Sequence, residues 1–307
     1  MKMSSFKGFC YGIATSVTFG LIPLFTLPLM AKGMAFDSIL FYRFLFATIA
    51  LGIMLKVKKE SFSIERKDIP LIILLGVFYT ASALFLFWGY NFMGSGMATT
   101  LHFTYPVFVT LLMLVLFREK ASWMTWLAIV MAVFGVAQLS LKGSELTVSA
   151  EGIIIVLLSA VGYASYITGV NKSRVRNMSS RKLAFYVFIV STVLFAIKAA
   201  TNEGIQPIPD ALSVGNLVLL AVVPTVVSNI TLVLAIRHIG GTMTSVLGAM
   251  EPLTAVVIGV CIFNEAFTMQ EATGILLIIV AVTIIILSDT LKKTLSQVLK
   301  HFRPHHS

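Results

Sequence analysis

Charge is scarce in this chain of 307 residues, because Asp, Glu, Lys and Arg together make up only 12% of it. An ordinary soluble domain carries about 25% of such residues. Hydrophobic residues make up 58%, and the mean hydropathy is +0.95. Apolar runs near twenty residues recur along the chain, and each is long enough to cross ~30 Å of hydrocarbon as a helix. We therefore predict an all-helical, polytopic membrane protein.

Cysteine is also scarce. Cys10 and Cys261 both fall within apolar runs, so the sequence does not indicate a disulfide framework. The patterns C-x-x-C and H-E-x-x-H and a Walker-type glycine loop are missing. His301, His305 and His306 lie in a basic tail, where solvated charge is the expected role. We predict no metal site, no cofactor and no ATP-driven step.

The apolar runs predict ten transmembrane helices joined by short loops, none of which could house a soluble catalytic domain. The predicted spans are 9–30, 37–55, 70–90, 96–117, 122–141, 152–170, 183–201, 214–236, 241–263 and 271–289. The first span is too long and too interrupted, by Pro23 and Pro28, for a cleaved signal peptide. We expect it to remain as a helix.

Positive charge is unevenly distributed over a chain whose net charge is +10. With the N-terminus inside, the cytoplasmic segments hold nineteen Lys and Arg residues, and the opposite face holds Lys32, Lys142 and Lys198. This bias predicts that both termini are cytoplasmic, and it explains the basic pI without a nucleic-acid partner. The segment 291–302 is either an amphipathic helix on the anionic leaflet or a solvated tail.

Two segments of the chain resemble each other at a constant offset of 146 residues. They are GSGMATTLHFTYPVFVTLLMLVLFREK (94–120) and GGTMTSVLGAMEPLTAVVIGVCIFNEA (240–266). The matched pairs include Gly94 with Gly240, Met97 with Met243, Leu101 with Leu247, Pro106 with Pro252, Phe117 with Phe263 and Glu119 with Glu265. Earlier in each half the offset is 144, where Phe41–Tyr42 aligns with Phe185–Tyr186. Chance resemblance is disfavoured because the proline and the glutamate stay in register.

The duplication predicts two five-helix units, over 8–141 and 151–289, followed by a basic cytoplasmic tail over 290–307. Because each unit has an odd number of spans, the second unit enters the membrane from the opposite side. Many secondary transporters build two interconvertible halves from inverted repeats of this kind.

Three sequence features carry a family resemblance: YPVFVTLLMLVLFRE (105–119), EPLTAVVIGVCIFNE (251–265) followed by ATGILLIIVAV, and Arg43 in ILFYRFLFA. Together they resemble the EamA-type exporters of the drug/metabolite transporter superfamily. The resemblance implies a ten-helix inverted repeat in a bacterial inner membrane. It also implies export of small metabolites, such as amino acids, related compounds or drugs. A monomer is the expected functional unit, because both halves lie on one chain, and a dimer is the alternative.

The first repeat departs from this pattern at two positions. It has Ala128 where the second repeat has Gly274, and Tyr105 where the second repeat has Glu251. The carboxylate beside the proline therefore occurs only once.

Glu251 lies ten residues into the ninth predicted span, ~15 Å deep, near the bilayer midplane. An ionised carboxylate there costs at least ~2.5 kcal/mol. Glu251 therefore either faces a wet cavity, where it binds substrate cations or a coupling proton, or braces two helices through hydrogen bonds. Pro252 frees the carbonyl of Gly248, so Pro252, like Pro106 and Pro224, is a candidate helix break or gate.

Other intramembrane polar residues are candidate substrate contacts. Arg43 either receives a substrate carboxylate or pairs with Glu251, and His102 either carries a coupling proton or is a packed residue. For the rest, hydrogen bonding between helices is the alternative. The rest are Tyr79, Tyr105, Tyr163, Ser228 and Asn229. For Glu119 and Glu265, at the membrane boundaries, we predict loop anchoring and capping.

The prediction is a secondary transporter that exports small metabolites by alternating access. An uptake permease of the same fold is the alternative, because the charge pattern does not separate the two directions. A membrane enzyme or a channel is disfavoured, because the sequence has no G-x-S-x-G motif, selectivity filter or ring of charges. The expected partners are a small-molecule substrate and membrane lipid.

Overall fold

The protein is all-helical over the residues that the computed structural model describes, which are 3–118, 123–140, 149–201, 204–265, 267–270, 272–284 and 287. Its helices are α1 Met3–Gly20, α2 Ile22–Ala31, α3 Phe36–Val57, α4 Ile69–Gly89, α5 Ser95–His102, α6 Tyr105–Phe117, α7 Trp123–Ser140, α8 Ala150–Asn171, α9 Ser180–Thr201, α10 Ala211–Ala221, α11 Ser228–Gly248, α12 Met250–Phe263 and α13 Ala272–Ile284. Glu119 and the predicted tail over 290–307 lie outside the described residues.

Ten apolar helical stretches of the described residues coincide with the ten predicted spans. Seven of them are long enough to cross a membrane: Phe6–Ala31, Phe36–Val57, Arg66–Gly89, Ser95–Phe117, Ala150–Asn171, Ser180–Thr201 and Ala211–Ala235. The shorter three are Trp123–Val136, Met250–Phe263 and Ala272–Ile284. The prediction of a polytopic helical membrane protein is confirmed. The limits of the two units, 8–141 and 151–289, stay a prediction.

Prolines mark the places where these spans are interrupted. Pro106 lies in the first turn of α6, directly after the break at 103–104, and Pro252 lies in the first turn of α12, after the break at Ala249. The first turn of a helix needs no backbone N–H from a proline. Pro224 instead lies within a π-helical segment, Val222–Val227, that joins α10 to α11. Such wide turns are frequent at functional sites.

The backbone is helical from Ser228 to Gly248, but the two ends of this segment, which we call α11, run in different directions relative to α1. Two sets of contacts with α1 establish this change of direction. The first pairs Gly8 with Ile239 and Thr15 with Thr231; the second pairs Gly12 with Leu247 and Gly20 with Thr254. In the first set the residue numbers rise along α1 and fall along α11, so the two segments are antiparallel. In the second set both numbers rise, so the segments are parallel. The eighth and ninth predicted spans are therefore two separate passages, and α12 runs parallel to α1.

The remaining pairings complete an inverted arrangement. α12 runs antiparallel to α5, because Gly96 lies against Val256 and Phe103 lies against Gly248. The same inversion relates the packing partners: α1 contacts α11 and α12, and α8 contacts α4 together with α5 and α6.

The α5–α6 arm runs parallel to α8. His102 contacts Ser159 near the middle of α8, and the Phe117 ring lies 4.9 Å from the Lys172 Nζ at its end. Since α1 is parallel to α12, α12 is antiparallel to α5, and α5 is parallel to α8, the first helices of the two halves, α1 and α8, run in opposite directions. The predicted inversion is confirmed.

Hydrogen bonds between the halves repeat at the offset seen in the sequence. Tyr42 Oη donates to the Gln206 carbonyl at 3.0 Å, and Tyr186 Oη donates to the Phe62 carbonyl. Tyr186 is 144 residues after Tyr42, and Phe62 is 144 residues before Gln206. The two bonds are therefore equivalent, and they tie the loops at opposite ends of the bundle.

The pseudo-twofold axis passes between Phe44 and Phe188, which are equivalent residues whose rings lie 5.4 Å apart. An axis that relates inverted repeats lies in the membrane plane. These two phenylalanines therefore mark the bilayer midplane. We call the end of the bundle that carries residues 58–68 and 172–179 the inner end, and the opposite end the outer end. The charge pattern predicts that the inner end is cytoplasmic.

Glu265 has the capping role that its position predicts. Its carboxylate accepts hydrogen bonds from the Ser95 N–H at 2.7 Å, the Ser95 hydroxyl at 2.7 Å and the Gly96 N–H at 3.3 Å, all at the start of α5. Asn264, in the left-handed conformation with φ of 52°, turns the chain so that Glu265 reaches back. The first unpaired N–H groups of α5 are thereby satisfied.

A group of hydrogen bonds at the inner end, which we call the polar tether, joins Glu60 to the start of α9. We expect its contribution to stability to depend on pH. Arg181 and the Ser179 hydroxyl donate hydrogen bonds to the Glu60 carboxylate, which holds the pKa of Glu60 below its ordinary value. A carboxyl group with a lowered pKa stabilises the fold at neutral pH, and this contribution is lost as the pH falls through the folded-state pKa.

We expect Glu60→Gln to lower the free energy of unfolding by about 1 kcal/mol at pH 7 and to have little effect well below pH 4. Thermal unfolding in detergent at both pH values measures this difference. Glu151→Gln, at an exposed position in the first turn of α8, is the matched control. An equal effect at both pH values would contradict the role of the ionised tether.

Candidate functional site

A cavity of about 510 Å³ lies between the two halves of the protein. It begins at the midplane residue Phe44 and extends toward the outer end, where Ile22 and Leu86 line it. Six residues with polar side chains face it: Arg43, Tyr79, Ser82, His102, Tyr163 and Glu251. The cavity therefore brings together three ionisable candidates of the sequence analysis, Arg43, His102 and Glu251, with hydroxyl and aromatic groups.

Arg43 is 4% exposed and is held by a neutral partner. Its Nε donates to Thr225 Oγ1 at 3.0 Å, and its Cζ lies 5.5 and 5.6 Å from the ring centres of Phe44 and Phe87. The Thr225 hydroxyl donates to the Leu220 carbonyl at 2.9 Å, which leaves its oxygen free to accept from Arg43. Because Thr225 lies in the π-helical segment, this widened turn positions the arginine.

The terminal N–H groups of the Arg43 guanidinium have no acceptor within the described part of the chain. Arg43 also forms no ion pair there, with Glu251 or with any other carboxylate. The alternative in which Arg43 pairs with Glu251 therefore does not hold in this structure. A guanidinium that is buried without a counter-charge is suited to bind an anionic group that enters the cavity.

Glu251 lies in the first turn of α12, partly exposed to the cavity. It has no hydrogen bond or ion pair to any described residue. The alternative in which Glu251 braces two helices through hydrogen bonds thus has no support in these contacts. The start of a helix carries a partial positive charge, which stabilises a carboxylate there. Glu251 is therefore available to a cationic group or a proton.

His102 belongs to a hydrogen-bonded chain with two serines. Its Nδ1 lies 2.9 Å from Ser159 Oγ, and Ser159 Oγ lies 2.7 Å from the Ser82 carbonyl oxygen. A carbonyl only accepts, so the single hydroxyl hydrogen of Ser159 is donated to Ser82 and His102 Nδ1 is the donor to Ser159. This tautomer leaves His102 Nε2 as an acceptor, and Nε2 has no partner among the described residues.

Tyrosines close the cavity on the side of the inner end. The ring centres of Tyr105 and Tyr163 lie 4.8 Å apart, those of Tyr79 and Tyr166 lie 5.0 Å apart, and Tyr79 and Tyr163 are 6.1 Å apart. Faces of such rings attract cations and pack against apolar groups. The equivalents of Tyr105, Tyr163, Tyr79 and Tyr166 in the opposite repeat are Glu251, Phe19, Thr225 and Ile22, respectively. This difference explains why the cavity lies to one side of the axis.

The structure brings five of the eight candidate substrate contacts to the cavity: Arg43, Tyr79, His102, Tyr163 and Glu251. Tyr105 lies behind Tyr163. Ser228 lies elsewhere and donates to the Pro224 carbonyl at 2.7 Å, and Asn229 lines a different cavity.

Sequence reasoning missed Ser159 and Phe19. The repeat holds a signal for Ser159, because its equivalent at the offset of 144 is Thr15, another hydroxyl residue. Thr15 Oγ1 lies 3.5 Å from the carbonyl of Ser228, the equivalent of Ser82. A hydroxyl that recurs in both copies indicates a contact between helices. No group of three or more His, Cys, Asp or Glu side chains in the described ranges could hold a metal ion.

Comparison with known proteins gives consistent matches. A sequence model of the EamA-like transporter family matches residues 6–141 and again residues 150–287. The uncharacterized transporter sll1319 of Synechocystis sp. is 26% identical over 200 residues, which cover 64% of this chain and 60% of that protein. The uncharacterized transporter YdfC of Bacillus subtilis is 23% identical over 253 residues, which cover 79% of each chain.

The match with the Synechocystis relative thus spans less than two thirds of that protein's length. A solved crystal structure matches with a TM-score of 0.64 and 16% identity, covering 92% of this chain and 98% of that chain. At this identity the likeness shows a shared fold.

Replacing Arg43 tests whether its charge stabilises the fold. A buried guanidinium without a carboxylate partner is costly to desolvate. We therefore expect Arg43→Met, which keeps an unbranched side chain, to leave the free energy of unfolding in detergent within about 1 kcal/mol of the parent or to raise it. Arg181→Met is the matched control, since Arg181 has a carboxylate partner in Glu60. A loss of more than about 3 kcal/mol for Arg43→Met would make Arg43 a structural residue.

Proposed function

This chain belongs to the EamA-like transporter family, and we propose that it is a secondary transporter that exports small zwitterionic metabolites, such as amino acids, by alternating access. The substrate class follows from one observation: Arg43 and Glu251 line the same cavity and form no ion pair with each other. A zwitterion offers a carboxylate to the first and an ammonium group to the second.

The cavity supports this assignment by its walls. It is lined by both polar and apolar side chains, as small-molecule sites usually are. Tyr79 and Tyr163 form an aromatic wall against which an apolar or cationic part of the substrate would pack. Arg43 binds a carboxylate through two N–H groups at once, which gives orientation as well as affinity.

The inverted halves support alternating access. In such transporters two states are reached when the repeats rock around a fixed midplane site. In this structure the cavity extends from the midplane toward the outer end, and Tyr79, Tyr163 and Tyr166 lie between it and the inner end. In a bacterial inner membrane with both termini cytoplasmic, this would be the state that releases an exported substrate.

Glu251 is the proposed coupling residue. One carboxylate binds either a proton or the ammonium group of the substrate, so the two compete for the same oxygens. A proton that enters from the outside would displace the substrate, and its release inside would restore the charge that binds the next substrate molecule. His102, with a free Nε2 in the same cavity, is a second acceptor for that proton.

Substrates can be found by counterflow in proteoliposomes, in which vesicles loaded with one unlabelled amino acid accumulate the labelled compound. For a substrate identified in this way, we expect Glu251→Gln to reduce accumulation driven by a pH gradient about tenfold or more. We expect Arg43→Gln to raise the KM for exchange about tenfold or more, which corresponds to ~1.4 kcal/mol of lost binding. Glu151→Gln, outside the cavity, is expected to behave like the parent.

Several results would contradict the proposal. If Glu251→Gln keeps its pH-driven accumulation, Glu251 does not carry the proton. If Arg43→Gln binds the substrate that carries a carboxylate as tightly as the parent does, Arg43 does not recognise that group. If substrate accumulates on the side of the inner end when protons move in the same direction, the permease alternative is favoured over export.

A further inference from the structure

A second cavity, of about 490 Å³, lies near the inner end between α3, α9 and α11. Polar groups line it where α9 begins, at Ser179, Ser180 and Arg181. Apolar side chains line the rest, including Leu51 and Val233. The cavity is separate from the central one, since no residue lines both. It therefore has a polar end and an apolar end.

The place that the pseudo-twofold axis relates to this cavity, near the outer end, is filled. At the offsets of 144 and 146, Ser180, Ala184, Leu51 and Val233 correspond to Phe36, Leu40, Phe195 and Phe87. Leu40, Phe87 and Phe195 are buried in the core, with exposures of 0%, 0% and 1%. Near the outer end, four larger side chains thus fill their place in the bundle. Near the inner end, the four smaller equivalents leave the corresponding place open. The cavity is a specific difference between two copies of one unit.

The polar lining has also diverged, toward positive charge. Arg181 corresponds to Asp37 in the other half, and Asn229 corresponds to Ala83. Arg181 donates to Glu60 through Nε and one terminal nitrogen, which leaves its remaining nitrogen without an acceptor among the described residues. Lys182 follows directly, and its Nζ bonds only a carbonyl, that of Ser63, at 2.8 Å.

The surroundings of the cavity add to this charge. Lys56, Lys58 and Lys59 are exposed at the end of α3, close to Glu60, whose carboxylate reaches Arg181. Among the described residues from 56 to 60 and from 179 to 182, five Lys and Arg residues stand against one carboxylate, that of Glu60. A mobile ligand with a negative headgroup is therefore attracted to it.

We propose that this second cavity binds an anionic phospholipid of the inner leaflet. Its phosphate would accept hydrogen bonds from the remaining Arg181 nitrogen and from the Ser180 hydroxyl, since the Ser179 hydroxyl donates to Glu60. One acyl chain would lie along Leu51 and Val233. The amphipathic lining fits this ligand, because a soluble anion would leave the apolar end of the cavity uncovered, and a neutral lipid would offer no negative charge to the remaining Arg181 nitrogen and the nearby lysines.

The test measures lipid binding to the purified full chain by native mass spectrometry, after delipidation in a neutral detergent, independently of transport. The probes are phosphatidylglycerol, phosphatidylcholine and inorganic phosphate. The main variant combines Ala184→Leu with Val233→Phe, which restores the residue types that fill the equivalent place. Val193→Phe, on the exposed face of α9, is the matched control for added bulk.

We expect the parent and Val193→Phe to bind phosphatidylglycerol about tenfold more tightly than phosphatidylcholine, and the double variant to lose that affinity about tenfold or more. If the double variant does not fold, Ser180→Phe replaces it, because Ser180 is exposed at the start of α9 and a phenylalanine there fills the mouth of the cavity.

Three outcomes would overturn the proposal. The first is a folded cavity-filling variant that binds phosphatidylglycerol as tightly as the parent. The second is equal affinity of the parent for phosphatidylcholine, which would remove the role of the anionic headgroup. The third is displacement of the lipid by inorganic phosphate alone at equal concentration, which would make this a site for a free anion.

Discussion

The central cavity is organised by one constraint: Arg43 and Glu251, residues of opposite charge near the middle of the bundle, line it without forming an ion pair. Each charge costs at least ~2.5 kcal/mol at that depth, and an ion pair would lower the cost. Arg43 is instead held by Thr225 and by two phenylalanine rings, and Glu251 is placed in the first turn of α12. The π-helical segment around Pro224 and the break before Pro252 serve this separation. An unneutralised cavity is what a zwitterionic substrate requires.

Divergence between two equivalent halves accounts for both cavities. The fold itself is symmetric, as the matched bonds of Tyr42 and Tyr186 show. Tyrosines from both halves fill the inner side of the axis, whereas their equivalents on the outer side leave the central cavity open; near the inner end, smaller side chains leave open a space whose equivalent is filled. A duplicated bundle can thus keep its packing and still acquire different chemistry on the two sides of the membrane. Only substitutions at equivalent positions are needed, and they leave the helix contacts in place.

Periodicity and composition predicted the ten spans, and the offsets of 144 and 146 predicted which residues are equivalent. These features are local or repeat along the chain, so a single sequence carries them. The partners of polar side chains were harder, because the rotation of each helix about its axis decides them. Ser228 and Asn229 were expected beside the substrate, but they belong to a face that turns away from the central cavity. The hydroxyl of Thr225, one turn earlier, is the group that reaches Arg43.

Two glutamates of this protein differ more in their hydrogen bonds than in their residue type or position in the sequence. Glu251 and Glu265 lie on or beside the same helix, fourteen residues apart in the sequence. Glu265 accepts three hydrogen bonds and closes the start of α5, so its charge is used by the fold. Glu251 accepts none from the described residues, although its position is the more costly one. A fold gains nothing from a deep charge that it leaves unpaired. The proposed transport role of Glu251 rests on this contrast, because a ligand or a proton would complete the charge that the described residues leave unpaired.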